Sequence, residues 1–424
     1  MSKLKLINII QIVYLLKLNK YIAIKLKSKI MRNKFFMQEE VVILSGSRTA
    51  IGSFGGSLKS VSPIELGTVV AKKALEISEV DKNEVGQVAF GHVINTEPKD
   101  MYLSRVVALN SGLPKSVAAM NVNRLCGSGL QAIVSVIQSL TLGDSNFGLA
   151  GGSENMSNSP HILKSNRWGK RMGNTTVEDM MLGALNCPFG TGHMGVTAEN
   201  VASEYGISRE DQDSFSLESQ LRASNALEKG YFKNQIVDIK VKKNIFNVDE
   251  HPKETDAESL KSLNSVFMEN GTVTAGNSSG LNDGAAALVL STAAAAKSNG
   301  LKVKAKILGY SHSGVRPEVM GIGPIIAVKK LLDKTGLSEK DFDVIESNEA
   351  FAAQACAVSK ELNLNSEKVN PNGGAIALGH PIGATGAILT IKALYELDRI
   401  NGTLGLITMC IGGGQGIALA IEKV

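Results

Sequence analysis

Residues 121–154 read NVNRLCGSGLQAIVSVIQSLTLGDSNFGLAGGSE, and this stretch decides the fold class. The glycine-rich turn Cys126–Gly129 opens a segment in which apolar residues recur at helical spacing, namely Leu130, Ile133, Ile137 and Leu140. The apolar run Phe147–Ala150 then leads into two glycines and is typical of a buried strand. A turn, a helix and a strand in this order predict an α/β unit.

The same alternation continues toward the N-terminus. Val41–Leu44 predicts a buried strand, and Ser62 followed by Pro63 marks the start of a helix that continues to about Ile77. Val85–Phe90 is a further strand candidate. Strands and helices in alternation predict a mainly parallel sheet with helices on its faces.

The last third of the chain repeats features of this first unit. Asn370-Pro-Asn-Gly-Gly-Ala leads to an apolar helix after Gly386, just as residues 121–129 lead to the helix described above. The segment Leu149-Ala-Gly-Gly-Ser-Glu likewise resembles Ile407-Thr-Met-Cys-Ile-Gly-Gly-Gly. We therefore expect two copies of one α/β unit, with an active site where their helix ends converge.

The segment between the two copies has a different texture. It is more polar and contains one clear helix, Arg209–Lys229, capped by Ser208. We interpret it as an inserted lid or substrate-binding subdomain. The predicted division is an N-terminal half of residues 37–156 with 282–302, an insert of residues 157–281 and a C-terminal half of residues 303–424.

The composition is that of a globular protein, with 43% hydrophobic and 20% charged residues. Of the positive charges, nine lie in residues 1–36, which contain no Asp or Glu, so the other 388 residues carry a net charge of −4. That body has no basic excess, which argues against nucleic-acid binding. The 4 cysteines form no CxxC pair and the 6 histidines no HxxxH or HExxH pair, so we predict no metal site.

The basic extension, residues 1–36, permits more than one interpretation. Its apolar run, residues 7–16, is too short to span a bilayer, and it has no small-residue cleavage site of the kind that signal peptides carry. It is read either as upstream sequence preceding a start at Met31 or Met37, or as a targeting segment or amphipathic surface helix. We expect no stable membrane association of the protein.

Cys126 stands where a glycine-rich turn enters a helix. Unpaired N–H groups and the helix dipole favour an anion there, so we predict a thiol pKa below the free value of about 8.5. Gly127 and Gly129 leave room beside the sulfur for an acyl group. A packed cysteine at a helix start is the alternative that this spacing leaves open.

A second glycine-rich segment, GGAIALGHPIGATG at residues 373–386, presents His380. A histidine in such a turn can act as a base for a cysteine or donate a hydrogen bond to a developing oxyanion. The glycine spacing here is not GxGxxG, and the chain contains no GxxxxGK[ST]. The segment therefore lacks the sequence patterns that a dinucleotide-binding dehydrogenase and a nucleotide-binding P-loop require.

Two further segments carry polar or reactive side chains at the ends of predicted strands. Asn348, in SNEAFA at residues 347–352, is either a helix N-cap or a site residue. Cys410 ends an apolar strand at a glycine nest, whose N–H groups can bind an anionic oxygen. We assign no catalytic role to Cys356, inside an apolar helix, or to Cys187, in the polar insert.

Taken together, the blocks NRLCGSGLQA, SNEAFA, GGAIALGHPIGATG and CIGGGQG resemble the thiolase family in order and spacing. TVTAGNSSGLNDGAA at residues 272–286 and GHMGVTAEN at residues 192–200 extend the resemblance, which covers residues 40–424. It implies an α/β thiolase-like fold of two duplicated five-stranded halves packed together, with an inserted loop subdomain that binds coenzyme A.

The resemblance also implies a ping-pong Claisen condensation on coenzyme A thioesters. Cys126 would be the nucleophile, activated by His380 and carrying the acyl group. Cys410 would remove or return the α-proton of a second acetyl-CoA. Asn348, through a water, and His380 Nε2 would stabilise the enolate-like oxygen, while the N–H groups of Cys126 and Gly412 would form the oxyanion hole of the acyl-enzyme step.

Substrate-binding residues are implied in the same way. His193 and Met194 resemble the short-chain, acetoacetyl-CoA type, and a bulky methionine beside the acyl pocket would limit acyl length. Ser279, Ala350 and Phe351 would line the pantetheine and thioester channel. The sequence departs from the family in one place: Lys253 stands where an arginine often contacts the nucleotide end of CoA, and lysine cannot fork as a guanidinium does.

The expected activity is that of an acetyl-CoA C-acetyltransferase acting on acetyl-CoA, acetoacetyl-CoA and CoA, with no cofactor. The resemblance implies a homotetramer, and the cysteine usage predicts a cytoplasmic location. Two alternatives stay open. One is a degradative 3-ketoacyl-CoA thiolase of broader chain length, and the other is a non-catalytic CoA-thioester binding protein.

Overall fold

The computed structural model describes residues 39–424. The interpretations of residues 1–36 fall outside the described residues. Within residues 39–424, no helix combines the length and the apolar character needed to cross a membrane.

One large sheet forms the centre of the molecule. Five of its strands belong to the N-terminal half: β1 (Val41–Arg48), β2 (Val85–Gly91), β3 (Ala118–Val122), β4 (Phe147–Asn155) and β5 (Asn282–Thr292). Four belong to the C-terminal half: β6 (Ala305–Gly314), β7 (Val344–Ser347), β8 (Leu404–Ile411) and β9 (Gln415–Lys423).

The strand order shows the duplication. Across the sheet the order is β3-β2-β4-β5-β1 and then β6-β9-β8-β7, and the two halves meet where β1 pairs with β6. Beyond β7, Val369 pairs in parallel with Ile345 and takes the place that β3 has in the first half. Each half therefore has five positions in the same spatial order, which confirms the predicted duplication.

The predicted parallel character of the sheet is wrong for most strand pairs. Among the strands of this sheet that the structure describes, the parallel pairs are β2 with β3, β2 with β4 and β7 with β8, to which the Ile345–Val369 bridge adds a fourth. The other strand pairs are antiparallel. In each half, for example, the last strand runs antiparallel to the strand that precedes it in the chain, β5 to β4 and β9 to β8. Between β8 and β9 the connection is only residues 412–414, and a parallel connection would require a crossover of about a dozen residues.

Helices cover both faces of the sheet and fill the space between the halves. The helices of the main body are α1 (Pro63–Ser78), α2 (Leu103–Asn110), α3 (Ser128–Thr141), α8 (Ala293–Ser298), α9 (Gly323–Thr335), α10 (Ala352–Glu361), α11 (Ala375–Leu378) and α12 (Thr385–Ile400). Those of the inserted segment are α4 (Met180–Leu185), α5 (Met194–Tyr205), α6 (Arg209–Glu228) and α7 (Ala257–Lys261). Single 3-10 turns lie at Lys82–Glu84, Pro98–Tyr102, Met156–Asn158, Pro317–Ile322 and Glu339–Asp341.

Sequence signals at two helix starts are confirmed. Ser62 accepts a hydrogen bond from the Glu65 N–H and Pro63 is the first residue of α1. At α6, Ser208 and Asp211 form a reciprocal capping box. Such caps satisfy N–H groups that the first helical turn leaves unpaired, worth about 1 kcal/mol each.

The central helices α3 and α12 pack against each other inside one apolar cluster. The four residues that predicted the buried face of α3 are all fully buried: Leu130, Ile133, Ile137 and Leu140. Burying such a side chain stabilises the fold by roughly 1.5–3 kcal/mol. Because α3 belongs to the first half and α12 to the second, this contact brings the turns that precede the two helices together.

The short strands of the inserted segment pair with one another, and a buried ion pair attaches the segment to the main body. These strands pair His161–Ile162 with Glu178–Asp179, Asn186–Cys187 with Gly192–His193, and Ile239–Val241 with Asn244–Phe246. In the main body, Arg48 donates to both carboxylate oxygens of Asp249 at 2.7 and 2.9 Å and to Gln235 Oε1 at 2.7 Å. Both ionic side chains are fully buried, so the segment that leads to Lys253 is fixed to β1.

Candidate active site

The turn that carries Cys126 is held by its own hydrogen bonds. Ser128 Oγ accepts from the Arg124 N–H at 2.8 Å and donates to the Leu125 carbonyl at 2.6 Å. Asn123 Oδ1 accepts from the Leu125 N–H at 3.0 Å. Leu125 has a φ of 45°, a left-handed conformation that costs a non-glycine residue about 1 kcal/mol or more. Nothing in the sequence pattern predicts this conformation at a leucine.

Glycines let the turn of His380 approach that of Cys126. The Gly383 carbonyl packs against three other glycines. A Cβ added to Gly91, Gly129 or Gly152 would lie 3.0 Å or less from its oxygen. Gly129 is in the first turn of α3, three residues after Cys126. A side chain at any of these positions would separate the two turns, which gives the clustered glycines a concrete role.

His380 is fixed by hydrogen bonds at its backbone and its ring. Its N–H donates to Asn282 Oδ1 at 2.9 Å, and its Nδ1 lies 2.6 Å from Thr385 Oγ1. Thr385 Oγ1 donates its own proton to the Pro381 carbonyl at 2.9 Å, so it accepts from Nδ1–H. This network assigns the tautomer with a proton on Nδ1 and leaves Nε2 as the basic nitrogen.

Asn348 lies at the end of β7 and meets that basic nitrogen. Its Nδ2 is 3.4 Å from His380 Nε2, and both side chains are buried. The Asn348 N–H donates to the Thr408 carbonyl of β8 at 3.0 Å, which fixes the residue to the strand that carries Cys410. The structure therefore brings three of the predicted site residues together.

The protein environment alters the acid–base properties of all three titratable groups. Burial lowers the pKa of His380 to about 4, so the imidazole is neutral at pH 7. Burial also raises the pKa of Cys126, and the N–H groups of Gly412 and of Cys126 itself only partly oppose this effect. The predicted lowering of the Cys126 pKa is thus wrong, because desolvation outweighs the turn's N–H groups.

Cys410 is fully buried, and its pKa is raised by burial and by the neighbouring Cys126. A thiol with a raised pKa becomes a strong base once it loses its proton. Gly412, two residues further on, directs its N–H at the Cys126 thiol. The turn after β8 therefore brings both an acid–base group and a hydrogen-bond donor to the nucleophile.

Met194 and His193 approach the same turn from the inserted segment. A Cβ built on Gly412 would lie 3.3 Å from Met194 Cε, and Met194 packs in one apolar cluster with Cys410. His193 caps α5 and stacks on Phe267 with ring centroids 4.7 Å apart. Phe267, which the sequence analysis did not single out, also meets Phe351 edge to face at 6.1 Å.

The predicted channel residues join two segments of the chain. The Ser279 N–H donates to the Ala350 carbonyl at 3.0 Å, and Ser278 pairs with Phe351 as an isolated bridge. These contacts place Ser279, Ala350 and Phe351 side by side. Phe351 also belongs to the apolar cluster that contains Met194, which links the channel residues to Met194.

Lys253 lies on a different part of the surface from this group. Its backbone N–H donates to Gln220 Oε1 of α6 at 3.1 Å, and its side chain is exposed. Two residues before it, the ring of His251 covers Gly280, directly beside Ser279. Lys253 thus connects to the channel residues through its chain neighbours rather than through its ammonium group.

The other two cysteines have no contact with Cys126 or His380 among the hydrogen bonds of the described residues, although Cys187 shares an apolar cluster with Cys410. Burial raises the pKa of Cys356 to about 12, and the residue lines a cleft of about 600 Å³ between α6 and α10 that includes none of the predicted site residues. Cys187 is buried in the short pairing before α5. Across residues 39–424, no group of three or more His, Cys, Asp or Glu side chains could hold a metal ion.

Comparisons with known proteins agree with the fold. The model of the thiolase N-terminal domain matches residues 41–294, and that of the thiolase C-terminal domain matches residues 301–423. Beta-ketothiolase BktB of Cupriavidus necator is 56% identical over 92% of this chain and all of its own. Acetyl-CoA acetyltransferase of Escherichia coli K12 is 48% identical over 90% of this chain and 99% of its own.

Solved structures show the same similarity. A Bacillus anthracis acetyl-CoA acetyltransferase superposes with a TM-score of 0.89 at 45% identity, covering 91% of this chain and 99% of that one. Human mitochondrial 3-ketoacyl-CoA thiolase gives a TM-score of 0.90 at 40% identity, covering 92% of this chain and all of that one.

The duplicated fold, the packing of the His380 loop against the start of the helix that follows Cys126, and the matches to thiolase domains define an enzyme that transfers acyl groups. The chain belongs to the thiolase family. It is therefore an acyltransferase whose chemistry passes through an acyl-cysteine intermediate.

Proposed function

We propose that this thiolase is an acetyl-CoA C-acetyltransferase, which condenses two acetyl-CoA into acetoacetyl-CoA and CoA and catalyses the reverse thiolysis. The observation that carries this proposal is the neutral His380, with an unprotonated Nε2, on a turn packed against that of Cys126. Relatives named acetyl-CoA acetyltransferase, at 43–48% identity, support the choice of substrate.

The first half-reaction loads the enzyme. His380 Nε2 takes the proton of Cys126 as the sulfur attacks the acetyl carbonyl, and the N–H groups of Cys126 and Gly412 stabilise the resulting oxyanion. The C–S bond to CoA then breaks, and Cys410 gives its proton to the departing thiolate. This leaves an acetyl-cysteine, an imidazolium and a Cys410 thiolate.

The second half-reaction uses these two charges. The Cys410 thiolate removes the α-proton of a second acetyl-CoA, and its raised pKa makes it strong enough for this step. His380 Nε2–H and Asn348 Nδ2 stabilise the enolate oxygen. The carbanion attacks the acetyl-cysteine, and the departing Cys126 sulfur recovers its proton from His380. All groups return to their starting states.

The acyl pocket is proposed to be short because Met194 packs beside Gly412. One observation favours a second candidate, a thiolase of broader chain length: beta-ketothiolase BktB is 56% identical to the chain, and human mitochondrial 3-ketoacyl-CoA thiolase shares its fold at a TM-score of 0.90.

Coenzyme A would extend from this pocket past Ser279, Ala350 and Phe351, with His193 and Phe267 forming an aromatic wall. Lys253 would contribute a flexible positive charge near the nucleotide phosphates. Its replacement by Ala should raise KM and leave kcat close to the wild-type value.

We also propose a homotetramer in the cytoplasm. Trp168 and Met172 of the inserted segment are 90% and 83% exposed, which gives assembly an apolar surface to cover. The reaction needs Cys126 and Cys410 as thiols, in keeping with a reducing compartment. Light scattering should give about four times the 44.9 kDa chain mass, and a mass of one or two chains would contradict the tetramer.

The deciding assay is thiolysis by the full chain of acetoacetyl-CoA and of 3-ketohexadecanoyl-CoA, with the variants Cys126→Ala and Cys410→Ala. We expect turnover of acetoacetyl-CoA only, abolished by both substitutions. Equal or faster turnover of the long substrate would establish the broader thiolase instead. Binding of acetyl-CoA without turnover of either substrate would leave a non-catalytic binding protein.

A further inference from the structure

A buried carboxylate of the N-terminal half holds the loop of His380, which belongs to the C-terminal half. Glu154, near the end of β4, is fully buried. Its Oε2 accepts hydrogen bonds from the Val93 N–H at 3.0 Å and the Gly383 N–H at 2.9 Å, and its Oε1 accepts from the Ile94 N–H at 3.1 Å. One side chain thus joins three segments around the site.

Burial raises the pKa of Glu154, and His92 and three backbone N–H groups oppose that rise by favouring the ionised form. Three N–H donors converge on it, and a carboxylate has only acceptors to offer them. His92 Nδ1 lies 3.3 Å from Oε1, while it also contacts the Ser153 carbonyl at 2.9 Å. A neutral amide of the same shape would direct an NH₂ group at one of these donors. The site therefore suits a carboxylate better than an amide of the same shape.

Burial is the largest cause of the raised pKa of Cys126, and the charge of Glu154 adds a smaller contribution in the same direction. The other titratable groups around this thiol are Cys410 from β8 and His380 from the loop packed against α3, with Arg124 in the same turn. A negative charge here disfavours a free thiolate, so Cys126 reacts only when a base removes its proton.

We propose that Glu154 is a positioning residue, whose carboxylate holds the His380 loop in register with Cys126. Its negative charge supports the same role, because it disfavours a free Cys126 thiolate before His380 acts. The catalytic part of this proposal rests on the thiolase activity proposed above. The part that concerns Cys126 does not depend on turnover, since thiol reactivity is measured without substrate.

Glu349 provides a matched control. It is also a buried carboxylate with three donors: its Oε2 accepts from the Ile376 N–H at 3.1 Å and from Ser219 Oγ at 2.7 Å, and its Oε1 accepts from Asn370 Nδ2 at 2.7 Å. It anchors the far end of the same loop. Its charge is felt at Glu346 and Cys356 rather than at the turn of Cys126.

The test compares Glu154→Gln, Glu154→Asp and Glu349→Gln in the full chain. Two quantities are measured: thiolysis of acetoacetyl-CoA, and the rate of Cys126 alkylation by iodoacetamide against pH, resolved by peptide mass spectrometry. We expect Glu154→Gln to lower kcat by about 100-fold, as for a displaced base, and to move the alkylation midpoint to lower pH. Glu154→Asp should lose activity while its midpoint stays near that of the wild type.

Glu349→Gln should leave the midpoint unchanged. An unchanged midpoint in Glu154→Gln, or an equal shift in both Gln variants, would overturn the proposal and leave Glu154 a structural residue. If Glu154→Gln does not fold, Glu154→Asp decides: full activity from the shorter side chain would contradict the positioning role. A wild-type protein that fails to turn over acetoacetyl-CoA, while the midpoint still shifts in Glu154→Gln, would refute the proposed function alone.

Discussion

The two halves place their key residues before equivalent helices, but they hold them in different ways. In the first half, residues 123–127 connect β3 to α3 and carry Cys126. In the second, residues 370–384 connect the Val369 bridge to α12 and carry His380. The first connection is a single turn closed by its own hydrogen bonds, whereas the second is a long loop that includes α11.

The long loop depends on side chains from elsewhere in the chain. Glu349 binds the Ile376 N–H, Asn282 binds the His380 N–H and Glu154 binds the Gly383 N–H. The nucleophile is therefore positioned by local sequence and the base by long-range contacts. Substitutions far from the chemistry should affect the function of His380 and spare the turn of Cys126.

The largest effect is expected at the nucleophile itself. Cys126→Ser should lower kcat/KM for acetoacetyl-CoA thiolysis by about 10³-fold or more, because a hydroxyl is a far weaker nucleophile than a thiol. Its melting temperature should stay within a few degrees of the wild type, since the turn is closed by Asn123 and Ser128. A large fall in melting temperature would show that the turn is not self-supporting.

The next largest effect is expected at Asn282, which does not touch the substrate in our proposal. Asn282→Ala removes the acceptor for the His380 N–H, and a displacement of the base by about 1 Å costs about 10²-fold in kcat. Iodoacetamide should still alkylate Cys126 at the wild-type rate. Asn299→Ala, on the exposed end of α8, is the matched control and should change neither rate.

Thr385 tests the tautomer of His380. Thr385→Val removes the oxygen that accepts from Nδ1–H and should lower kcat about tenfold, because the proton can then occupy Nε2. Thr385→Ser keeps the oxygen and should restore most of the rate. Equal losses in both variants would point to packing of the methyl group instead of the hydrogen bond.

The sequence singled out Cys126, His380 and Cys410 in glycine-rich blocks, and Asn348 after a predicted strand. It missed Glu154, Asn282 and Phe267, whose contacts are with distant segments, and Thr385, which lies five residues from His380 within the same block. Glu154 and Gly383, for example, are 229 positions apart. No local pattern reports such a pairing, and the same limit explains the wrong thiol pKa, which depends on burial by several elements.

The pH dependence of kcat/KM should reflect the pKa of His380, which burial lowers. As a base, the imidazole must be neutral, and protonation below its pKa stops the acylation step. With a pKa of about 4 instead of 6.5, kcat/KM should be nearly unchanged between pH 7 and pH 5.5. An exposed histidine would lose about tenfold over that range. An acid limb centred near 6.5 would contradict the burial argument.

The smallest effect is expected at Met194, where the inserted segment meets the turn after Cys410. Met194→Ala should enlarge the space beside Gly412 and raise the activity on 3-ketohexanoyl-CoA relative to acetoacetyl-CoA by a few fold, since each accommodated methylene is worth about 1 kcal/mol. The acetoacetyl-CoA rate itself should change little, because neither half's key turn is altered. Met268→Ala, on an exposed loop, is the control. If the substrate ratio stays constant, acyl length is set elsewhere, and the aromatic wall of His193 and Phe267 becomes the next place to test.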